Sequence, residues 1–252
     1  LSQYSDSKLI AGGQSLGPLM NMRLVQPAEL IDLNAIAGLD AITEKDDFLE
    51  IGALARHHAV EKSGLVKKHC PLLAEAAATI GHYAIRSRGT LGGSLAHADP
   101  AAQLPLVAAT LGAEIVVEGG RGERRIAARD FFVSMMTTAL EPDEIVVSVR
   151  FPKAAPGERH AYAQFSRRQG DFAIVAVACI LREGKLKIGL GGVEDKPLLL
   201  DGFSSRDEPE VIARKVSEAV HPVESPRVPA LYRRELVEVL TRRALQKCLN
   251  SS

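Results

Sequence analysis

Ala11-Gly12-Gly13-Gln14-Ser15-Leu16 and Gly89-Thr90-Leu91-Gly92-Gly93-Ser94-Leu95-Ala96 decide how this chain is read. The first stretch follows the short apolar run Leu9-Ile10, and the second leads directly toward Asp99-Pro100. Glycine carries no Cβ and takes positive φ at little cost, so successive backbone N–H groups can converge on phosphate oxygens. Ser15, Thr90 and Ser94 add hydroxyl donors at the same places. One Gly-Gly pair is an ordinary tight turn. Two pairs, about eighty residues apart and with matching hydroxyls, point to a ligand with a long phosphate-bearing spine.

Outside these stretches the sequence excludes more than it assigns. Its 31 basic and 31 acidic side chains create no global field for nucleic acid or an anionic membrane, so no nucleic-acid partner is expected. The doublets Arg124-Arg125, Arg167-Arg168, Arg233-Arg234 and Arg242-Arg243 are scattered and read as solvated faces or subunit contacts. No apolar run approaches the ~20 residues that cross a bilayer, so no transmembrane segment is expected. Cys70, Cys179 and Cys248 form neither a disulfide framework nor a cluster site, which favours a cytoplasmic location. His57-His58 is no metal pair, because adjacent side chains on a helix diverge. No metal site and no catalytic acid, base or nucleophile is assigned.

Periodicity places strands over 32–41, 48–51, 113–118, 123–126 and 145–151. Helices are expected over 58–65 and 71–80, with Pro71 in a first turn. The stretch 81–95 reads as a long loop. Asp99 reads as a helix N-cap, with Pro100 opening a helix that runs to Leu111. The stretch 152–158, with two prolines and a glycine, is the best linker. Beyond it come strands over 161–166, 173–181 and 185–190, then helices over 208–221 and 229–248.

Ala11-Gly12-Gly13-Gln14-Ser15-Leu16-Gly17-Pro18-Leu19-Met20-Asn21 resembles the first FAD pyrophosphate loop of the flavoprotein (medium) subunits of molybdenum hydroxylases, the carbon monoxide dehydrogenase and xanthine dehydrogenase family. The stretch from Ile85 to Pro100 resembles their second FAD signature. Ser166-Arg167-Arg168-Gln169-Gly170-Asp171-Phe172-Ala173, Leu190-Gly191-Gly192-Val193 and Tyr232-Arg233-Arg234 are similar to motifs of the family's C-terminal domain. The resemblance implies an α+β fold: a two-lobed FAD-binding domain (PCMH-type) over 1–152, with lobes near 1–52 and 53–152. A small C-terminal domain over 159–252, a three-stranded antiparallel sheet with helices, would follow. Members of the family begin earlier, so the start at Leu1 reads as lacking an N-terminal piece of the first lobe.

Carried over position by position, the resemblance assigns the FAD diphosphate to the backbone N–H groups of Gly12, Gly13, Gln14, Ser15 and Leu16, with Ala11 beside them as a cofactor contact. Thr90, Gly92, Gly93 and Ser94 would line its other side and the ribityl chain, with His97 in the ribityl region and Asp99 as a polar group toward the cofactor. Leu9, Ile80 and Val146 would give apolar contacts, and Phe172 would pack near the isoalloxazine. Three positions depart from the family pattern. Gln103 stands where an acidic residue can reach the FAD, Gln164 where a lysine is usual, and Ala84 where glutamine is common.

The implied activity is that of an oxidoreductase subunit. Electrons from [2Fe-2S] clusters on a small partner subunit would pass through FAD here to an external acceptor. A large partner subunit would carry the molybdenum cofactor, and the complex would form a dimer of heterotrimers. The readings set against this one are a free-standing FAD oxidoreductase and a flavin-free scaffold or assembly paralogue.

Overall fold

The computed structural model describes residues 6–226 and 228–250. Strand β1 (Ser7–Ile10) runs through the first glycine turn into the short helix α1 (Leu16–Asn21), then pairs in parallel with β2 (Glu29–Asp32). The strand expected over 32–41 lies earlier in the chain. At Asp32 the carboxylate accepts the Asn34 backbone N–H at 2.9 Å, a turn that ends the ladder just where the alternation seemed to start.

β3 (Ile42–Glu44) and β4 (Phe48–Gly52) form a hairpin, and three helices follow. The single helix expected over 58–65 is two: α2 (His57–Lys62) and α3 (Gly64–His69), broken at Ser63. Ser63 leaves the helical region, at ψ 126°, and its hydroxyl caps the second helix by accepting from the Val66 N–H. α4 (Pro71–Ala78) starts on its proline as expected.

The stretch read as a long loop over 81–95 instead holds α5 (Tyr83–Arg86) and α6 (Leu91–His97). Thr90 caps α6 through its Oγ1, which accepts from the Gly93 N–H at 3.1 Å, so the second glycine pair lies in a helical first turn. Asp99 is not an N-cap. Its carboxylate accepts from the Ala101 N–H at 2.8 Å in a local turn, and α7 (Gln103–Leu111) begins after Ala102, with Pro105 in its first turn.

β5 (Glu114–Gly119) and β6 (Gly122–Ala127) make the second hairpin. The one-turn helix α8 (Ala128–Phe131) and the small hairpin of β7 (Phe132–Ser134) with β8 (Thr137–Thr138) lead to β9 (Ile145–Pro152). β9 inserts between the two larger hairpins and closes an antiparallel five-stranded sheet in the order β3-β4-β9-β5-β6.

The C-terminal sheet corrects the expected count of strands. β10 (Arg159–Phe165), β11 (Val175–Arg182) and β12 (Lys185–Gly191) are joined by a fourth strand, β13 (Leu198–Ser204), in an antiparallel meander. Asp201 and Gly202 interrupt its leucines and hide it from a pattern search, yet Leu198 pairs with Leu190 and Phe203 with Leu186. α9 (Pro209–Ala219) and α10 (Ala230–Asn250) cover one face.

Successive side chains of a strand point to opposite faces, and β11 is buried on both. Val175, Val177, Cys179 and Leu181 pack with Val237, Leu240 and Ala244 of α10. Ala176, Ala178 and Ile180 pack into the core that holds α4 and α7. The apolar run over 173–181 is therefore unbroken because neither face meets water. Small residues let α7 close on this sheet: a methyl group at Gly189 would stand 2.1 Å from the Thr110 hydroxyl oxygen.

Candidate functional site

All the residues singled out above as cofactor contacts, from Leu9 to Phe172, line a single cleft of about 580 Å³. The β1–α1 turn forms one wall, α6 the opposite wall, and Val146 on β9 the floor. Phe172, 58% exposed, stands at the rim from the loop between β10 and β11. Such a volume lies within the range of ligand and cofactor clefts.

The two glycine stretches meet backbone to backbone. Gly12 abuts Arg88 so closely that a Cβ would stand 2.2 Å from the Arg88 carbonyl oxygen. Gly13 takes φ +68°, the left-handed turn expected of it. Among the described residues, the N–H groups of Gly12, Gly13, Gln14, Ser15 and Leu16 have no protein acceptor. They face a cleft that offers them none. A run of unpaired donors of this kind has the chemistry to hold an anion.

The opposite wall works differently. Leu91 N–H donates to the Ala55 carbonyl, Gly92 N–H to Ala53 and Gly93 N–H to the Thr90 hydroxyl. These amides are already used, so the second glycine pair supplies room instead of donors. A Cβ on Gly92 would meet the Ala53 Cβ at 2.5 Å, and Gly93 leaves an exposed backbone surface facing the cleft.

His57 braces this wall and escaped the sequence reading, which weighed it only as a metal ligand. Its backbone N–H donates to Gly89 and its Nε2 to the Thr90 carbonyl, each at 2.9 Å. A carbonyl partner fixes the proton on Nε2, and Nδ1 is left buried without a partner. Burial pulls the imidazole pKa down to about 4, against the weaker opposing effect of the Thr90 bond. Asn34 and Arg56 were missed as well, because no local pattern marks a polar contact between distant turns.

Gln164 gathers donors at the seam with the C-terminal sheet. Its Oε1 accepts from the Tyr162 hydroxyl at 2.8 Å, and from Gln103 Nε2 and the Thr79 hydroxyl at 3.2 Å each. Gln103 is buried and lines the cleft. Both glutamines therefore sit in one neutral network. Glu144, also at the cleft, is held by two bonds from Arg124 at 2.6 and 2.7 Å. Arg124 first, then the Glu141 N–H, outweigh burial and hold its carboxyl at about 2.

Comparison with known proteins decides what this cleft belongs to. The family model described as the FAD binding domain in molybdopterin dehydrogenase matches residues 1–154, and the CO dehydrogenase flavoprotein C-terminal domain matches 160–248. The chain belongs to the FAD-binding medium-subunit family of CO dehydrogenase-type molybdenum hydroxylases. The 6-hydroxypseudooxynicotine dehydrogenase complex subunit alpha of Paenarthrobacter nicotinovorans is 38% identical, over 97% of this chain and 88% of that one. The carbon monoxide dehydrogenase medium chain of Hydrogenophaga pseudoflava is 34% identical, over 96% of this chain and 88% of that one.

Solved structures of the family agree in fold. Carbon monoxide dehydrogenase from Hydrogenophaga pseudoflava matches with a TM-score of 0.92 and 35% identity, covering 97% of this chain and 90% of that one. Quinoline 2-oxidoreductase from Pseudomonas putida 86 matches with a TM-score of 0.92 and 34% identity, over 98% and 91%. The chain is thus a flavoprotein subunit of an oxidoreductase, with FAD as its cofactor. Among the described residues no helix is long and apolar enough to cross a membrane.

The cleft fits that cofactor. Unpaired amides and a positive-φ glycine suit a diphosphate, and Leu9, Ile80 and Val146 give the apolar surface that an aromatic ring system needs.

Proposed function

We propose that this chain is the electron-transfer subunit of a molybdenum hydroxylase complex. Electrons would arrive from [2Fe-2S] clusters on a small partner subunit and leave to an external acceptor. The large partner would carry the molybdenum cofactor, and the assembly would be a cytoplasmic dimer of heterotrimers. The observation that carries this reading is the run of unpaired amides from Gly12 to Leu16, facing a cleft lined by both glycine stretches.

FAD exchanges electrons singly or in pairs, which suits a junction between one-electron clusters and a two-electron acceptor. The chain's own residues bind and orient. Gly12, Gly13, Gln14, Ser15 and Leu16, next to Ala11, offer backbone N–H groups to the diphosphate. Thr90, Gly92, Gly93 and Ser94 close on its other side, with His97 toward the ribityl chain and Asp99 as a further polar group in the cleft. Leu9, Ile80, Val146 and Phe172 exclude water from the ring system, and Gln103 holds a fixed amide against it. No residue needs to move a proton for electrons to pass.

The test is a visible spectrum of the purified chain, with chromatography of any cofactor released on denaturation and assay of co-purifying iron and molybdenum. FAD near one per chain, together with both metals, is the expected result. A colourless chain that ignores added FAD would favour a flavin-free scaffold. FAD without partners, together with turnover of a small substrate, would favour a free-standing oxidoreductase.

A further inference from the structure

Two polar side chains outside both glycine stretches tie them together. The Asn34 amide Nδ2 donates to the Ala11 carbonyl at 2.8 Å, and so holds the first turn. Its Oδ1 accepts from Arg56 Nη2 at 2.6 Å. Arg56 Nη1 donates in turn to the Arg88 carbonyl at 2.5 Å, at the entrance of the second turn. Asp32 fixes Asn34 from behind, since its Oδ1 accepts from both the Asn34 backbone N–H and Nδ2. A short antiparallel bridge between Arg56 and Thr90 holds the other end. The chain of contacts is unbroken from Ala11 to Arg88, and it joins the same two turns that meet at Gly12 and Arg88.

From this geometry we infer that Asn34 and Arg56 are positioning residues for the cofactor. They act as a strap that sets the separation of the two cleft walls before FAD arrives. The inference rests on the FAD reading above and adds how the cleft is held open to the right width. A planar guanidinium presents several donors in a fixed fork, so one side chain can serve the Asn34 amide and the Arg88 carbonyl together. Ordering a binding site in advance removes that cost from the binding step. The strap acts in series: breaking either link frees the same movement.

The series arrangement makes the test specific. The full-length chain, freed of FAD, is titrated with FAD by flavin fluorescence for wild type, Arg56→Ala, Asn34→Ala and the double variant. Each single variant is expected to bind about tenfold more weakly, and the double variant no more weakly than either single. Asn34→Ala keeps the Arg56 charge, so an equal loss there separates a strap from simple attraction of the guanidinium to the diphosphate. The loss should also persist at high salt, where an exposed charge is screened.

Should Arg56→Ala fail to fold, Asn34→Ala and Asn34→Asp carry the test. The aspartate keeps the acceptor for Arg56, loses the donor to Ala11 and sets a carboxylate against Asp32, so it too should bind weakly. Full affinity in Asn34→Ala, or additive losses in the double variant, would overturn the strap while leaving FAD binding intact. A wild-type chain that binds no FAD would overturn the cofactor reading and the strap with it.

Discussion

Gly12 lies so close to Arg88 that a methyl group on its α-carbon would stand 2.2 Å from the Arg88 carbonyl oxygen and 2.8 Å from the Gly89 α-carbon. Real Cβ atoms do not approach oxygen so closely, and both neighbours are backbone, which cannot rotate away. Gly12→Ala should therefore push the two turns apart, losing about 2 kcal/mol of stability or more and most bound FAD. Flavin absorbance per chain, beside thermal unfolding of the same samples, checks both. Gly17, beyond the turn, has open space around it, so Gly17→Ala serves as the control that should retain FAD.

Gly93 tests the other wall. It is exposed at the cleft, and a Cβ there would meet only the Thr90 hydroxyl, at 2.7 Å. Gly93→Asp must displace the Thr90 hydroxyl by a few tenths of an ångström, and it sets a carboxylate opposite a bound diphosphate. FAD binding should be abolished, read as loss of the flavin spectrum from a folded chain. Retention at wild-type affinity would remove this wall from the diphosphate site. Gly93→Ser, uncharged, should weaken binding far less.

How much of this was legible follows from what each feature depends on. The glycine pairs and the long apolar run of β11 are local signals, and they pointed to the cleft and to a strand buried on both faces. α6 was not legible because glycine is a poor helix former, about 1 kcal/mol behind alanine, while the Thr90 cap and the bonds from Leu91 and Gly92 N–H to the Ala55 and Ala53 carbonyls that hold its first turn show only in the fold. β13 was hidden by Asp201 and Gly202. Asp99 misled because aspartate suits a local turn as well as a helix cap. Asn34 and Arg56 carry no local pattern at all. Their meaning exists only once β2 and the segment before α2 have been brought beside the two turns.

His57 makes the cleft sensitive to acid. Its pKa is about 4 in the folded chain and 6.5 by default, so between these values the unfolded chain binds a proton that the folded chain does not. Stability is therefore complete above pH 6.5 and falls as pH drops toward 4, by about 3 kcal/mol. Protonation at Nδ1 would also place a charge against Gly89, where the imidazole already fills the space a side chain would need. FAD release should rise over the same window. Unfolding midpoints and free flavin measured from pH 7.5 to 4.5 give the test. In His57→Gln the slope over that window should flatten, though its midpoint at neutral pH will be lower. An unchanged slope would mean that other groups set the acid limit.

Gln164 bears on the electron-transfer role. Its carbonyl oxygen accepts from the buried Tyr162 and Gln103, and these neutral donors would lose that acceptor in Gln164→Lys, whereas Thr79 keeps its shorter bond to the Ala76 carbonyl at 2.8 Å. Leaving buried donors unpaired costs about 1–3 kcal/mol, so this variant should unfold earlier. It would also bring a cation to a network that reaches the cleft through Gln103. A nearby positive charge favours an added electron, so the FAD midpoint potential should rise, by roughly 30 mV for each 1.4 kcal/mol of stabilisation of a two-electron couple. Adding Gln103→Asp gives the new ammonium a partner. The double variant should then recover stability and return part of the shift. Spectroelectrochemical titration of both variants in the assembled complex separates the outcomes: a potential that stays at the wild-type value in Gln164→Lys would place this network out of electrostatic reach of the flavin, and leave it the task of joining α7 to β10.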